Sequence, residues 1–461
     1  MTDAPPNHPP PPAVSFAAAF RFWLKLDFIS FGGPAGQIAV MHQELVEKRR
    51  WISERRFLHA LNYCMLLPGP EAQQLATYIG WLMHRTWGGI VAGGLFVLPS
   101  LLILTGLSWL YAAQGHTPLV SGLFYGIKPA VTAIVLHAAL RIGGRALGRP
   151  LHWAIATAAF VAIFAFALPF PLIVTGAALT GYLANRFAPA TAAAQAAAPN
   201  PQPQDGHAPC LIDDHTPSPP HARFCWPRLA RVAGIGLLLW LLPLALLALA
   251  GGWQAPLPQM GWFFTKAALL TFGGAYAVLP YVYQGAVVHY GWLSPAQMID
   301  GLALGETTPG PLIMVVAFVG FIGGYGHAEA TLAMAGANPF LAGAAAAAVV
   351  TWFTFLPSFL FILAGGPLVE STHGDLRFTA PLSAITAAVV GVIVNLALFF
   401  AYHVFWPAGF PQGWASLATP DWPSLAIASL AAVALLRFKR GVVEVIGGCA
   451  LLGLLLSQLP H

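Results

Sequence analysis

The sequence predicts an all-α polytopic membrane protein made of two inverted-topology repeats with broken or re-entrant helices, joined by a linker and one extra transmembrane helix. Three observations predict this architecture. Of the 461 residues, 57% are hydrophobic and only 8% are charged, against the roughly 25% charge of a usual soluble domain. A long internal match indicates a duplication. Basic residues crowd the loops of one copy and are missing from the equivalent loops of the other.

The composition excludes soluble proteins. A soluble protein of 461 residues needs a charged surface, which 21 Lys and Arg with 16 Asp and Glu cannot supply. The mean hydropathy of +0.70 agrees. We therefore expect the lipid bilayer as a partner and no nucleic acid. The formal net charge of +5 is then a signal of membrane topology.

The duplication is visible without gaps. Residues 22–70 match residues 263–311 at an offset of 241, and 13 of the 49 aligned positions are identical. The match resumes at an offset of 258, where Leu98-Pro99-Ser100 aligns with Leu356-Pro357-Ser358. Chance would give only a few identities, so we interpret the chain as two copies of one unit.

Composition assigns the remaining segments. We place the repeats at 14–186 and 257–461 and predict a disordered tail over the Pro-rich residues 1–13. Residues 187–228 are rich in Ala, Pro, Gln and His and predict a flexible cytoplasmic linker. Their His and Cys spacing fits no tetrahedral site, so neither a metal nor a cofactor is expected. Residues 229–251 are apolar and long enough to form a connecting transmembrane helix.

The basic residues indicate that the second copy is inverted. One loop of the first copy contains a cluster of Lys48, Arg49, Arg50, Arg55 and Arg56. The equivalent stretch, 289–297, has neither Lys nor Arg. Because Lys and Arg in short loops stay cytoplasmic, equivalent loops are expected on opposite faces. The extra helix between the copies produces this inversion.

Hydropathy predicts nine full spans and four broken segments. The spans are 88–112, 118–140, 151–168, 169–185, 229–251, 339–363, 379–402, 422–436 and 441–456. The broken segments of the first copy are 13–47 and 57–84, with counterparts in the second. Each arm has about 12 to 18 residues, or about 18 to 27 Å, which falls short of a bilayer core. We favour re-entrant hairpins, and single crossings stay open as the alternative.

The breaks themselves repeat and predict a binding site. They are Pro68-Gly69-Pro70 with Pro309-Gly310-Pro311, and Phe31-Gly32-Gly33-Pro34 with Gly273-Gly274. Irregular backbone at membrane depth is tolerated only inside protein or beside water. Broken helices at matching places of inverted repeats point to a substrate site, and their four N-termini favour an anion. The alternative is that these motifs are only kinks or turns.

Two lysines share one repeat position. Lys25 and Lys266 lie about two turns before the glycine pairs in apolar arms, so we expect them to flank the anion. The alternative is that they extend to the membrane interface. Arg21 and Asp27 flank Lys25 without counterparts in the second copy, and we expect Arg21 to neutralise Asp27.

Polar side chains beside the breaks complete the predicted site. Glu71 follows one Pro-Gly-Pro and Glu306 precedes the other, so either is a candidate for proton coupling, with plain hydrogen bonding as the alternative. The amides and hydroxyls suited to coordinating an oxyanion are Gln73, Gln74, Thr307 and Thr308.

These motifs together resemble the chromate ion transporter family in its long two-domain form. The resemblance rests on Phe22-x-x-Lys25 through Phe31-Gly32-Gly33-Pro34, Trp51-Ile52-Ser53-Glu54, residues 67–76 and 96–99, Thr271-Phe272-Gly273-Gly274 and residues 305–311. It implies a non-enzymatic secondary active transporter that exports chromate from the bacterial cytoplasm through the inner membrane and confers chromate resistance. Sulfate is the expected competitor.

Alternatives to export stay open. The same scaffold suits uptake or exchange of sulfate or another oxyanion, or an anion channel, and the sequence leaves homo-oligomers open. The family is usually drawn with thirteen spans, which our prediction equals when each hairpin is counted once.

Overall fold

The computed structural model describes residues 14–29, 33–115, 117–187, 210–213, 216, 219–272, 274–371, 379–407 and 420–458. These residues form helices, and the one β-bridge among them joins Ile52 to Ile212. The predicted fold class, an all-α polytopic membrane protein, is confirmed. The predicted N-terminal tail lies outside the described residues.

The first repeat contains eight α-helices in the described chain. They are α1 (Phe16–Ile29), α2 (Gly33–His42), α3 (Glu54–Leu66), α4 (Glu71–Leu95), α5 (Leu98–Gln114), α6 (Pro118–Ala146), α7 (Pro150–Phe166) and α8 (Phe170–Phe187). The connecting helix α9 spans Trp226–Gly251.

The second repeat contains nine in its described part. They are α10 (Pro256–Leu269), α11 (Ala275–Tyr283), α12 (Pro295–Thr307), α13 (Val315–Gly326), α14 (Ala328–Leu332), α15 (Pro339–Ser371), α16 (Thr379–Phe405), α17 (Trp422–Leu436) and α18 (Val442–Leu456).

The two copies repeat in detail. Both have a π-helical turn at the same offset of 241, Gln43–Lys48 and Gln284–His289. Ser53 and Ser294 then cap α3 and α12, each accepting a hydrogen bond from the backbone N–H three residues later. A serine cap satisfies a donor that the first helical turn leaves free. The local sequence thus sets the same helix start in both copies.

Every predicted span coincides with helix, but not every span is one helix. Five apolar stretches of the described chain are long enough to cross a membrane: 71–114, 118–146, 226–251, 339–370 and 383–405. The predicted span 88–112 divides between α4 and α5, where Pro99 occupies the first turn of α5. Its equivalent Pro357 lies inside α15 instead.

The long helices of the two repeats exchange partners. Helix α6 packs against α17 and α18 of the second repeat, and α16 packs against α7 and α8 of the first. Glycines allow these contacts: a Cβ on Gly126 would lie 1.9 Å from the Cys449 carbonyl oxygen, and one on Gly391 would lie 2.0 Å from that of Ala156. Each repeat therefore completes the packing of the other.

The described end of the linker is docked on the first repeat. The Ile212 N–H donates to the Trp51 carbonyl (3.1 Å), and the Ser53 N–H donates to the Ile212 carbonyl (3.0 Å). His221 donates from Nε2 to the Trp81 carbonyl (2.9 Å). Burial lowers the pKa of His221 below its usual value. The segment predicted to be flexible is thus ordered from Cys210 to Asp213, and residues 188–209 lie outside the described chain.

Candidate functional site

The breaks of the two copies meet at one place. The Gly69 N–H donates to the carbonyl of Thr271, two residues before Gly273 (2.7 Å). In the other direction, Gln37 Nε2, at the start of α2, donates to the Gly310 carbonyl. Each Pro-Gly-Pro loop is therefore bonded to a residue near the Phe-Gly-Gly motif of the opposite copy, Thr271 before one motif and Gln37 after the other. We call Pro68-Gly69-Pro70 the first loop and Pro309-Gly310-Pro311 the second loop.

Two equivalent serines strengthen this exchange. Ser100 Oγ donates to the Pro309 carbonyl in the second loop (2.7 Å). Ser358 Oγ accepts from Gln74 Nε2 (3.3 Å), which also donates to the Pro68 carbonyl in the first loop (2.8 Å). Each serine thus supports the loop of the copy to which it does not belong, as a two-fold relation between the copies would require. We call the two loops with Gln37, Gln74, Ser100, Thr271 and Ser358 the central cluster.

Glycine is needed in both loops for two reasons. Gly69 and Gly310 have φ of 122° and 97°, values that L side chains rarely adopt. A Cβ on Gly310 would lie 1.8 Å from Ser100 Oγ, and one on Gly69 would lie 2.4 Å from Ser358 Oγ. Any side chain at either position must therefore strain the backbone and displace a serine.

Helices begin on both sides of the central cluster. Helix α4 begins after Pro70 and α11 after Gly274, and neither N-terminus has a side-chain cap. Helix α2 begins at Gly33, and Pro34 lies beside Gly274, 3.8 Å from the position of a Cβ there. After the second loop the chain forms a 3-10 turn, Leu312–Met314, before α13. Unpaired N–H groups of such N-termini suit an anion.

Three predicted site residues, Phe31, Gly32 and Gly273, lie outside the described residues. The predicted threonines bond to their own helix: Thr307 Oγ1 donates to the Leu304 carbonyl (2.9 Å) and Thr308 Oγ1 to that of Gly305 (3.2 Å). They close the end of α12 beside the second loop, so coordination of an oxyanion by their hydroxyls stays a prediction.

The amides are held more deeply. Gln73 and Gln74 are fully buried, and Gln73 Nε2 donates to Thr77 Oγ1 (3.0 Å). Within the described chain, the side-chain oxygens of Gln37, Gln73 and Gln74 have no hydrogen-bond partner. These three amide oxygens are therefore unpartnered acceptors beside the N–H groups of the helix starts.

The two lysines lie away from this packing. The Lys25 side chain is on the exposed side of α1. Lys266 is half-buried, with Nζ over the Trp262 ring, 5.6 Å from its centroid. These positions favour the alternative that the two lysines extend to the membrane interface over direct contact with an anion in the central cluster.

The carboxyls differ in their surroundings. Glu306 is buried and accepts a hydrogen bond from the Tyr276 hydroxyl, whereas Glu71 is the first residue of α4 and is partly exposed. The expected neutralisation of Asp27 by Arg21 is wrong. Asp27 lies six residues after Arg21, so the two side chains point in directions about 240° apart around the helix. Arg21 is exposed, whereas Asp27 is fully buried.

A separate cavity of about 430 Å³ contains Lys128 among its lining residues. Lys128 Nζ lies 3.2 Å from Asp300 Oδ1 on α12, and the Tyr111 hydroxyl donates to Asp300 Oδ2 (2.8 Å). This ion pair joins α6 of the first repeat to the second. The absence of a lysine at the equivalent Thr386 makes the link specific to one side.

Sequence comparison assigns the family. The sequence model of the family described as Chromate transporter matches residues 17–182 and 258–454. The chain belongs to the chromate transporter family. The chromate transport protein of Cupriavidus metallidurans is 27% identical over 455 residues, which is 98% of this chain and 95% of that protein. The chromate transport protein of Pseudomonas aeruginosa is 32% identical over 405 residues, 85% of this chain and 82% of that protein.

A shorter relative matches part of this transporter. The uncharacterized transporter YwrB of Bacillus subtilis is 30% identical over 124 residues, which is 27% of this chain and 63% of that protein. No solved structure matches this member of the chromate transporter family.

Several residues of the central cluster were not predicted as site residues. Ser100 and Ser358 had a signal, because Leu-Pro-Ser repeats at the offset of 258. Gln37 aligns with Val278, and Thr271 aligns with Ser30, so neither had a sequence signal of comparable strength. Asp27 was attributed to a pair with Arg21, and its position against the second loop depends on packing between the copies.

Proposed function

We propose that this chromate transporter family member is a secondary active transporter that exports chromate from the cytoplasm across the bacterial inner membrane and so confers chromate resistance. The observation that carries the proposal is the central cluster, in which breaks from both copies bond to each other. In a membrane protein such a place holds a substrate between two halves that move against each other. The family and its named relatives supply the substrate class.

The residues proposed to line the path are those predicted around the breaks. Backbone N–H groups after Gly33-Pro34, the first loop and Gly273-Gly274 supply donors, and the predicted site also includes Phe31 and Gly32. Gln73, Gln74, Thr307 and Thr308 flank the two loops. Lys25 and Lys266 contribute positive potential from the interface and attract a dianion without touching it.

The membrane potential supports outward movement. Moving a dianion outward through about 100 mV of inside-negative potential releases about 4.6 kcal/mol, twice the value of about 2.3 for one charge. That free energy maintains a gradient of roughly a thousandfold without hydrolysis of a nucleotide. The proposed transporter accordingly acts on its substrate without covalent chemistry.

Everted membrane vesicles test this proposal. Export from cells becomes uptake into such vesicles, so labelled chromate should accumulate when the interior is made positive and should not when the potential is collapsed. Sulfate in excess should reduce the uptake as a competitor. Accumulation only in right-side-out vesicles would establish the uptake alternative, and a non-saturating flux that follows the potential alone would establish a channel.

The matched control is a membrane preparation that contains the Gly310→Ala protein at the same level. Its vesicles have the same lipid, leak and potential, so the difference between the two preparations is the flux through the central cluster. Equal uptake by both preparations would contradict transport through this site.

A further inference from the structure

Asp27 is a buried carboxyl that lies against the central cluster. It lies in the last turn of α1 and is 0% exposed. Ser100 Oγ, which donates to the Pro309 carbonyl, is 3.4 Å from Asp27 Oδ1. The same Asp27 oxygen lies 2.8 Å from the position that a Cβ on Gly310 would take. Asp27 is therefore packed directly against the second loop.

This carboxyl has no compensating positive charge in the described part of the chain. Among the described residues, no Lys, Arg or His forms an ion pair with Asp27, and its Oδ2 has no hydrogen-bond partner. Arg21 and Lys25 of the same helix are exposed. An ionised carboxylate that is buried without a cation or a full set of donors is costly.

The titratable groups on the helices around α1 are bound to residues other than Asp27 or lie elsewhere on their helices. His42 at the end of α2 is bound to Glu47 and Glu54, His84 of α4 to the Val14 carbonyl, Tyr78 of α4 to Glu370, and Tyr111 of α5 to Asp300. Glu306, before the second loop, is bound to Tyr276. Glu71 and the exposed Arg85 lie on α4 at its start and at its kink.

Three buried amides of α2 and α4 leave their oxygens without a partner in the described part of the chain. Gln37 Nε2 donates to an oxygen of Gly310, Gln73 Nε2 to one of Thr77, and Gln74 Nε2 to one of Pro68. A 180° flip of any of these amides would therefore leave another atom without a partner. Their unpartnered oxygens are acceptors. A protonated Asp27 can donate one hydrogen bond, whereas an ionised Asp27 would only add another acceptor.

We propose that Asp27 binds the proton that accompanies the anion through this transporter. The proposal rests on the proposed function, because it requires an oxyanion in the central cluster. A dianion beside an ionised Asp27 would be repelled, so the anion and the proton bind together. Asp27 takes a proton from water on the side where the anion enters and releases it on the side where the anion leaves. A dianion with one proton still carries one negative charge, so the membrane potential still drives it outward, with half the driving force that it exerts on the dianion alone.

Binding without a gradient tests this coupling. The full-length protein in lipid nanodiscs is titrated with chromate from mildly acidic to mildly alkaline pH at constant ionic strength, for the wild type and for Asp27→Asn. We expect the wild-type affinity to fall as pH rises, by up to about tenfold per pH unit more than in the variant. Chromate's own protonation is common to both proteins, so the difference between the two slopes isolates Asp27. The neutral Asn replaces the protonated acid and should preserve binding at alkaline pH.

Two further carboxyls provide matched controls. Glu71→Gln and Glu306→Gln should keep the wild-type slope, because the proposal assigns the proton to Asp27. Asp27→Glu preserves a titratable group and should retain a pH-dependent slope. If size-exclusion chromatography shows that the Asp27→Asn protein does not fold, Asp27→Glu becomes the decisive variant. A folded Asp27→Glu protein whose affinity does not change with pH would overturn the proposal.

The outcomes separate the two proposals. Equal slopes in the wild type and Asp27→Asn would overturn the role of Asp27 and leave the anion site intact. Loss of the slope in Glu71→Gln or Glu306→Gln, with the slope kept in Asp27→Asn, would also overturn it. If the affinity changes when sodium is replaced by choline, and the two proteins have equal pH slopes, a metal cation rather than a proton accompanies the anion. Absence of chromate binding by the folded wild type at every pH would overturn the proposed function itself.

Discussion

The two Pro-Gly-Pro loops share a backbone and differ in the side chains around it. Gly69 and Gly310 both have positive φ, and each loop receives a bond from the opposite copy. At the first loop the side chains of the hydrogen-bonded network, Gln74 and Ser358, are neutral, and Glu71 follows the loop along the chain. At the second loop a carboxyl, Asp27, is added, and its counterpart at the offset of 241 is Ala268.

This difference separates two requirements of a transport site. The geometry proposed to hold an anion comes from the backbone, which duplication supplied twice. A titratable group is needed only once, and a second buried carboxyl would increase the repulsion of the anion. The duplicated features are therefore expected to serve binding, and the feature present in one copy to serve coupling.

The largest effect is expected from breaking the shared backbone. Gly310→Ala and Gly69→Ala should each abolish chromate uptake into everted vesicles, because positive φ costs an L residue about 1–2 kcal/mol and the new Cβ overlaps a serine. Gly310→Ala should be the more damaging, since its Cβ would lie only 1.8 Å from Ser100 Oγ. Uptake is normalised to the amount of protein in the membrane by immunoblot.

Glycines of helices α5 and α8 supply the controls for this prediction. Gly106 and Gly176 have ordinary φ, and a Cβ on either meets no atom within 4 Å, so Gly106→Ala and Gly176→Ala should transport normally. Near-normal uptake by either loop variant would mean that the loops are turns outside the substrate path.

The second prediction concerns the relation between the copies. Arg55 and Ala296 are exposed equivalents at the offset of 241. In a protein whose four cysteines are replaced, Arg55→Cys should react with an impermeant maleimide from the cytoplasmic face and Ala296→Cys from the opposite face. Labelling is compared in intact cells and in everted vesicles. Reaction of both from the same face would contradict the inverted repeat.

An intermediate effect is expected at the serines. Ser100→Ala removes the donor to the Pro309 carbonyl, and a buried acceptor left unsatisfied costs about 1–3 kcal/mol, so maximal uptake should fall about tenfold. Ser358→Ala should cost a few-fold at most, because Gln74 keeps its bond to the Pro68 carbonyl. Initial rates across a range of chromate concentrations distinguish them. Equal losses would mean that the two loops are functionally alike.

The smallest effect is expected at the lysines. Lys25→Gln and Lys266→Gln should each raise the chromate concentration for half-maximal uptake about two- to threefold at low ionic strength, and the change should vanish in high salt because exposed charges are screened. Arg at either position should preserve the wild-type value. A salt-independent loss of tenfold or more would place the lysine against the anion.

Sequence reasoning predicted what depends on neighbouring residues. The breaks at Gly33 and after Pro70 are real helix starts, because Gly and Pro act on the backbone where they stand. The kink in α4 lies at His84 and Arg85, at the predicted boundary between the broken segment 57–84 and the span 88–112. What the sequence did not show is its geometry, because Arg85 has φ of 58°, which is unusual for a residue with a side chain.

Pairing between distant residues was beyond the sequence. Nothing in a hydropathy pattern shows that Ser100 will meet Pro309 instead of Pro68, because both loops have the same local sequence. The repeat predicted that the breaks would lie together, but not that each would bond to the other copy. Asp27 was misjudged for the same reason: its neighbours along α1 were visible, and those from α5 and the second loop were not.

The exchange of helices between the repeats has a consequence for biogenesis. Helix α6 ends at Ala146, and its partners α17 and α18 begin only at Trp422 and Val442. At the usual rate of about 5–20 residues per second, a ribosome needs roughly 15 to 60 seconds to produce them. During that interval the membrane insertion machinery must cover the face of α6 that later packs against α17 and α18. A chain that stops within the linker can never supply the partners, and quality-control proteases should remove it.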